Sequence, residues 1–599
     1  MNGTFGCADL RSGSRAGTAI GSLIAMFELA VAVLAVTVSV PAGPLYVMSA
    51  GKPTITIVND KTFRPEAEIP LPAEPSFAVL DPQKPVAYVV YNGIFTTLGS
   101  PHKPYAKGKL VVVDLKQKRV VREIGLGWNA EGVFVSGNGK YLYCLSNGWR
   151  YLNRKGVADP EGVITIVDRE TLETVKTLVP GRLATELAES ADGTRLIVLA
   201  GGSVYLDHPL GQQERALLAL LGKGREEKDA RLLTYGVGGF EKQTEARLAG
   251  GPTEMLVGDD DRHVFLIDCG LSVLGGVAHA GWQFGRGHRG TVQIVDLETG
   301  SVERTEDAGI ATLPVRWDPA KPSLEVVAQS GTDLRSSDLI LLWAGLGQAA
   351  ERCSLGKFSF PPASSLPVQQ GDRAVVTFSL TLPGGIQALQ PSHVAVVDMA
   401  GCQLARRVDI GSKGVRVAEK TAHIAALGAG LVFAELPTIL VSLAVSSHLA
   451  HEGERRHLPE EVAADQDSQF VYALDAPSNR VTVVRLQDGT AVGNVVAGSG
   501  CRRVMLAPGG RFMLVQGGTH VVWISTKTHE KAGEYDFQDS RIVSLAPDEA
   551  ANRVIVLGED FLAAWDAEEG KMGPPVKGFK LPFQVLPPTQ QPGPSGQRP

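Results

Sequence analysis

The chain has no C-x-x-C pair. Its six cysteines (Cys7, Cys144, Cys269, Cys353, Cys402 and Cys501) lie far apart, which excludes a zinc knuckle, a c-type haem site and a dense disulfide framework. Charge of one sign is also lacking: 58 Lys and Arg against 64 Asp and Glu leave a net charge of -6. That balance excludes a strongly basic nucleic-acid binder and leaves room only for a local basic patch. No G-x-S-x-G, P-loop or H-E-x-x-H occurs, so no catalytic residue can be named, and no cofactor or metal is expected. What is present is a foldable composition, 44% hydrophobic and 20% charged, with 68 glycines and 36 prolines. This is too little Gly and Pro for a low-complexity chain, and it suits many short elements joined by tight turns. Length alone, 599 residues, would suggest about four domains.

The two ends differ from the middle. Arg11 and Arg15 precede an apolar run over residues 16–40, broken by Glu28, with Val40-Pro41-Ala42 after it. Residues 1–42 therefore read as a cleaved signal peptide, or alternatively as a retained membrane anchor through residues 16–40. Either reading predicts an extracytoplasmic chain: periplasmic, secreted or membrane-anchored. Residues 587–599, made of Pro, Gln, Gly and Ser without periodicity, read as a disordered tail.

Between residues 43 and 586 a four-part unit recurs. In one copy, Glu131–Gly139 leads to Tyr141-Leu142-Tyr143-Cys144-Leu145-Ser146-Asn147, then to Val163–Asp168 and Glu173–Leu178. In another, Arg503–Gly510 leads to Phe512–Gly518 and on to His520–Ile524. The third run is the easiest to follow: Thr54–Val58, Leu110–Asp114, Ile164–Asp168, Leu232–Tyr235, Val292–Asp296, Leu339–Trp343, Val394–Asp398, Val481–Arg485, Val521–Ile524 and Leu562–Asp566. A degenerate further unit falls around Leu431–Leu458. Short Val/Ile/Leu/Tyr runs bounded by Gly, Asp, Asn and Pro are strands, and four antiparallel strands per unit make a propeller blade. The fold class expected is all-β, a β-propeller of about 7–11 units in one large ring or two fused propellers.

Leu45-Tyr46-Val47-Met48-Ser49 and Leu142–Asn147, each followed by a V-x-I/V-x-D run, resemble YVTN-type, WD40-like β-propeller repeats. The resemblance implies a fold shared by proteins of many functions. The chain enters at a second-type strand, Leu45–Ser49, so the first blade needs an innermost strand. Phe583-Gln584-Val585-Leu586 can supply it and close the ring.

Two segments allow rival readings. Ile424–Ser446 is apolar apart from Glu435 and reads as two blade strands divided at Gly428, Gly430 and Pro437, or as a membrane span. Gln213–Leu233 reads as a short surface helix, or as a helix that docks a partner.

Loop length carries the functional signal. Connections between second and third strands are short late in the chain, as at Gly517–His520, but long in four consecutive early units, near residues 92–108, 148–162, 202–231 and 270–290. These loops carry His102, Lys103, Tyr105 and Lys107; Trp149, Arg150, Tyr151, Arg154 and Lys155; Tyr205, Asp207 and His208; and His279, Trp282, Phe284, Arg286, His288 and Arg289. Aromatic faces beside cations suit a protein, anionic or carbohydrate-like ligand. The ligand-binding candidates are His102, Lys103, Tyr105, Trp149, Arg150, Tyr151, His208, Trp282, Arg286 and His288.

Other motifs read as structure. Gly258-Asp259-Asp260-Asp261 occupies a hairpin-turn position rather than a calcium loop. Asp114, Asp168, Asp296, Asp398 and Asp566 end strands and should cap turns. His448, His451 and His457 sit in a charged, solvated stretch. The expected function is a non-enzymatic, extracytoplasmic propeller that binds a protein or other ligand through its long loops. The alternatives are a lactonase-like or quinoprotein-like propeller enzyme with its site at the channel mouth, and a cell-envelope scaffold.

Overall fold

The computed structural model describes residues 44–586 except 94–105, 149–160, 202–229, 269–289, 410–461 and connecting residues at 183, 253, 319–321, 331–336, 348–349, 359–361, 369–371, 379, 383–385, 390–392, 476–478 and 539. The sequence readings of residues 1–42, 587–599, Ile424–Ser446, the unit around Leu431–Leu458 and the His448/His451/His457 stretch fall outside the described residues. The same holds for the predicted helix at 213–233 up to residue 229, and its last residues belong to a strand, Arg231–Gly236. Among the described residues there is no helix long and apolar enough to cross a membrane.

The described residues are all-β and make ten four-stranded antiparallel blades. Each of the ten predicted third runs is the third strand of one blade. Counting outward from the ring centre, blade 2 has an inner strand Phe77–Leu80, a second strand Val86–Tyr91, a third strand Lys109–Asp114 and an outer strand Arg119–Gly125. Second and third strands are buried almost throughout, as in Tyr141–Ser146 and His263–Asp268, because a neighbouring blade covers each face. Outer strands are mostly exposed or half-buried, as in Lys531–Asp536, and their charged side chains guard the open edge.

Successive blades touch in order, and blade 10 touches blade 1, so the chain forms one ring. Blade 1 takes its second, third and outer strands from Leu45–Ser49, Thr54–Val58 and Pro65–Pro70, and its inner strand from Pro582–Leu586 at the other end of the chain. Tyr46 pairs with Leu586, Val47 with Val585 and Met48 with Gln584. Gln584 also bridges to blade 2: its amide accepts from Ala78 N at 3.1 Å and donates to Ala78 O at 3.0 Å.

Two features of the ring depart from the sequence reading. Blades 5 and 6 share one strand, Ser301–Asp318, which is outer in blade 5 and inner in blade 6. It bends at Gly309, whose φ of 101° favours glycine and where a Cβ would stand 2.5 Å from Gln329 O. An eleventh blade between blades 7 and 8 is also excluded from the ring. Val368, Val375 and Val408 of blade 7 pack in one cluster with Val462, Val471 and Val484 of blade 8, which leaves no room for a unit between them.

A row of polar contacts fastens neighbouring blades at the end of the ring that carries the turns between inner and second strands. Between blades 2 and 3, the buried Arg169 guanidinium donates from Nε to Asp81 Oδ2 at 2.7 Å and from Nη1 to Gly139 O at 2.8 Å, and Tyr88 OH donates to Asp81 Oδ2 at 2.6 Å. Between blades 3 and 4, Glu189 accepts from Tyr143 OH at 2.6 Å. Across the closure, Arg553 of blade 10 donates to Asp60 O of blade 1 at 2.7 Å and pairs with the Asp60 carboxylate. Burial pushes the Asp81 carboxyl up, but hydrogen bonds from Arg169, Tyr88 and the backbone of Gln83 and Lys84 outweigh it and hold it below its ordinary value.

Two predictions follow from this architecture. A chain ending at Leu581 should be less stable than one ending at Leu586 by more than the roughly 2–5 kcal/mol expected for Leu586→Ala alone, as read from urea unfolding. Arg169→Met should cost about 3–5 kcal/mol at neutral pH because it strands a buried carboxylate. Since Asp81 is held below the unfolded carboxylate value of about 3.9, its contribution is present above that pH and is lost as pH falls through the folded value. The gap between wild type and Arg169→Met should therefore narrow on acidification below about pH 4.

Candidate functional site

Antiparallel order places all connections between second and third strands at one end of the ring, together with the links from each outer strand to the next inner strand. The four long early connections belong to blades 2, 3, 4 and 5, so the chain leaves and re-enters this one end at four neighbouring places. His102, Lys103, Tyr105, Trp149, Arg150, Tyr151, His208, Trp282, Arg286 and His288 lie outside the described residues, and so does His279. What the structure brings together is the set of bases from which these loops start.

The bases are tied by hydrogen bonds to the links between blades and, in the first loop, also across its own neck. Ala106 N donates to Gly93 O at 3.0 Å, and Gly108 N reaches Gly127 O at 2.8 Å. At the second base, Gly148 N donates to Trp128 O at 3.0 Å and Asn147 N to Asn129 O at 3.1 Å. The buried Asn129 and Asn147 side chains are bonded at 3.1 Å, and Asn147 Nδ2 donates to Glu131 Oε1 at 2.8 Å. At the fourth base, the buried Gln293 amide pairs both ways with the Ala249 backbone, at 2.9 Å and 2.7 Å, while Gly251 N donates to Asp268 Oδ2 at 3.1 Å. By contrast, the late connection Gly517–His520 is a tight turn, with Gly517 N donating to His520 O at 2.8 Å.

The inner strands below these bases carry a carboxylate within their first three residues in blades 3, 4 and 5: Glu131, Glu186 and Glu254. Glu131 accepts from Asn147, and Glu186 Oε2 accepts from Met255 N of the next blade at 2.6 Å. At least two of the three thus serve the scaffold. The one described group of three His, Cys, Asp or Glu residues whose ligand atoms all lie within 4.8 Å of one another is His263, Asp296 and Glu303, at the opposite end of blade 5.

That cluster was missed in the sequence because strand register assembles it. The turn reading of Gly258–Asp261 is observed: Gly258 N donates to His263 O at 2.9 Å, and Asp260 Oδ1 accepts from Arg262 N and His263 N, each at 3.0 Å. The turn-capping role of the strand-end aspartates is observed as well. Asp168 Oδ1 accepts from Glu170 N and Thr171 N at 2.9 Å, Asp566 Oδ1 from Glu568 N and Glu569 N at 2.8 Å, and Asp114 and Asp398 from Gln117 N and Gly401 N. Asp296 Oδ1 accepts from Glu298 N at 2.8 Å and Thr299 N at 2.9 Å. Its carboxyl is pushed up by burial but held below its ordinary value by those amides and by Arg262. The signal that could have found the cluster is cross-strand pairing of a strand-starting His263 with the strand-ending Asp296.

No family model matches this sequence, and no curated protein matches it. Among solved structures, the chain is similar to dihydro-heme d1 dehydrogenase NirN in complex with DHE, at 10% identity and a TM-score of 0.41, covering 91% of this chain and 75% of that one. It is similar to a eukaryotic initiation factor at 9% identity and a TM-score of 0.42, covering 92% and 99%. It is also similar to hydrazine synthase from Kuenenia stuttgartiensis at 14% identity and a TM-score of 0.31, covering 69% and 95%. What the chain's own geometry establishes, among the described residues, is a ten-bladed β-propeller.

Proposed function

We propose that the protein is a non-enzymatic, extracytoplasmic propeller of the YVTN/WD40-like kind that binds a protein or an anionic, carbohydrate-like ligand through the long loops of blades 2–5. The observation that carries this reading is that four consecutive blades, 2–5, all carry long second-to-third-strand connections at one end of the ring, whereas among the later blades only blade 7 does, with a connection that holds the hairpin Leu380–Leu382/Ile386–Leu389. Their sequences combine Trp149, Tyr151 and Trp282 with Arg150, Lys103 and Arg286, and an aromatic face beside a cation suits sugar rings and anions alike.

Two observations support an extracytoplasmic location. One is the basic–apolar–small pattern of residues 11–42. The other is a disulfide between Cys353, in the outer strand of blade 6, and Cys402, in a turn of blade 7, since disulfides persist in oxidising compartments. Cys144 and Cys501 stay free and buried, and burial pushes both thiols up to about 12, which makes them inert.

The combined Trp149→Ala, Arg150→Ala, Trp282→Ala and Arg286→Ala variant should keep the wild-type unfolding curve and lose at least tenfold in affinity for an immobilised anionic polysaccharide or acidic protein that wild type retains. Equal binding by wild type and the folded variant contradicts the reading. For the location, alkylation of the native protein before digestion should leave Cys144 and Cys501 unlabelled and yield the Cys353–Cys402 peptide pair as a crosslink. Free, alkylated Cys353 and Cys402 in freshly isolated protein would count against it.

A further inference from the structure

The cluster at the turn end of blade 5 has the chemistry of a metal centre. His263 starts the second strand, His263–Asp268, and lies directly opposite Asp296, the last residue of the third strand, Gly290–Asp296. Glu303 comes from the outer strand at a β-bulge: Ile294 pairs with Arg304 and Val295 with Val302, so Glu303 is the extra residue between them. Such bulges re-aim a side chain.

The histidine is already oriented. His263 is 9% exposed, and its Nδ1 is bonded to Asp260 Oδ2 at 2.5 Å. Its Nε2 lies 3.7 Å from Glu303 Oε2, too far for a hydrogen bond and close to the roughly 3.4 Å that separates two ligands of a tetrahedral ion with bonds near 2.0–2.1 Å. A carboxylate on one imidazole nitrogen, with the other nitrogen facing carboxylate oxygens, is the arrangement by which proteins fix a metal-binding histidine. Asp296 is 1% exposed. Arg262 donates to its Oδ2 at 2.7 Å and stands 3.9 Å from Glu298. One guanidinium against Asp260, Asp296, Glu298 and Glu303 leaves the cluster negative, a deficit that a dication offsets.

The repeat supplies its own comparison. At the same three positions (strand start, strand end, bulge) blade 2 carries Val86, Asp114 and Val121, and blade 3 carries Tyr141, Asp168 and Val175. Blade 7 carries Arg373, Asp398 and Ala405, and blade 9 carries Phe512, Ser525 and Ala532. None of these blades places a histidine and two carboxylates together. In blade 7 the partner of the aspartate is an arginine, which is the arrangement expected if the position only needs a cation. Blade 5 differs by offering a neutral ligand nitrogen and a second carboxylate.

We propose that His263, Asp296 and Glu303 bind a divalent transition-metal ion of the zinc type, with Asp260 as the carboxylate that orients the histidine. A mixed nitrogen and oxygen set favours this class over calcium or magnesium, which take oxygen ligands. The ion would pin the second, third and outer strands of blade 5 at the end away from the long loops, so the site is independent of ligand binding there.

The test is calorimetric titration of zinc chloride into the full chain, made without a histidine tag and stripped with EDTA. Wild type should bind zinc with this site accounting for one equivalent, and cobalt in its place should give visible absorption bands. Glu303→Gln, an exposed change that cannot unfold the blade, should weaken that equivalent at least tenfold. His263→Gln should abolish it, and Asp260→Asn should weaken it about tenfold through the lost orientation. Asp259→Asn, in the same turn but outside the cluster, should leave it unchanged. No zinc binding by wild type overturns the proposal. So does binding that survives in full in folded His263→Gln and Glu303→Gln, because that zinc sits elsewhere in the chain.

Discussion

The ring depends on the pairing of its two ends. Pro582–Leu586 hydrogen-bonds to Leu45–Ser49 and completes blade 1, so chain segments more than five hundred residues apart close the structure. Every blade has two apolar faces and can bury them only against neighbours. An open array would leave one face of blade 1 and one of blade 10 in water. Closure buries both: Leu45, Val47 and Val585 of blade 1 pack with Ile555, Leu557 and Leu562 of blade 10, and Leu586 packs with Ala78 and Val89 of blade 2. The Arg553–Asp60 pair and the two-way bond between Gln584 and Ala78 set the register of that joint.

The two ends of the ring divide the work. At the turn end, short hairpins and buried charge contacts such as Arg169–Asp81 and Tyr143–Glu189 fasten each blade to the next. Such pairs are retained where both partners are fully hydrogen-bonded, and Asp81 meets that condition with two donors from side chains and two from the backbone. At the other end, the early blades carry long insertions on bases fixed by Asn147, Gln293 and Asp268. A rigid end and an elaborated end on one scaffold is how loop variation acquires a function without cost to the fold.

The third strands were legible because they are buried on both faces and often end in an aspartate that caps the next turn, two signals that coincide in Val292–Asp296 and Ile164–Asp168. Closure was legible because the first run is of the second-strand type. Inner strands were harder to read: Val462–Ala464 is three residues long, and Pro362–Val368 carries prolines at its first and next-to-last positions. The shared strand Ser301–Asp318 was hidden because Gly309 and Pro314 look like punctuation, whereas the structure absorbs them as a bend and a bulge. For the site, loop lengths could be read, but the His263–Asp296–Glu303 cluster could not. Register and a bulge bring those residues together, and no local pattern encodes either.

The most direct measurement of the central claim is an electron-density or cryo-EM map of the full chain viewed down the ring axis. Ten blades around a single channel, with residues 582–586 as the inner strand beside Leu45–Ser49, is the result expected. An eleventh blade between those of Val394–Asp398 and Val481–Arg485, or two separate rings, would contradict it.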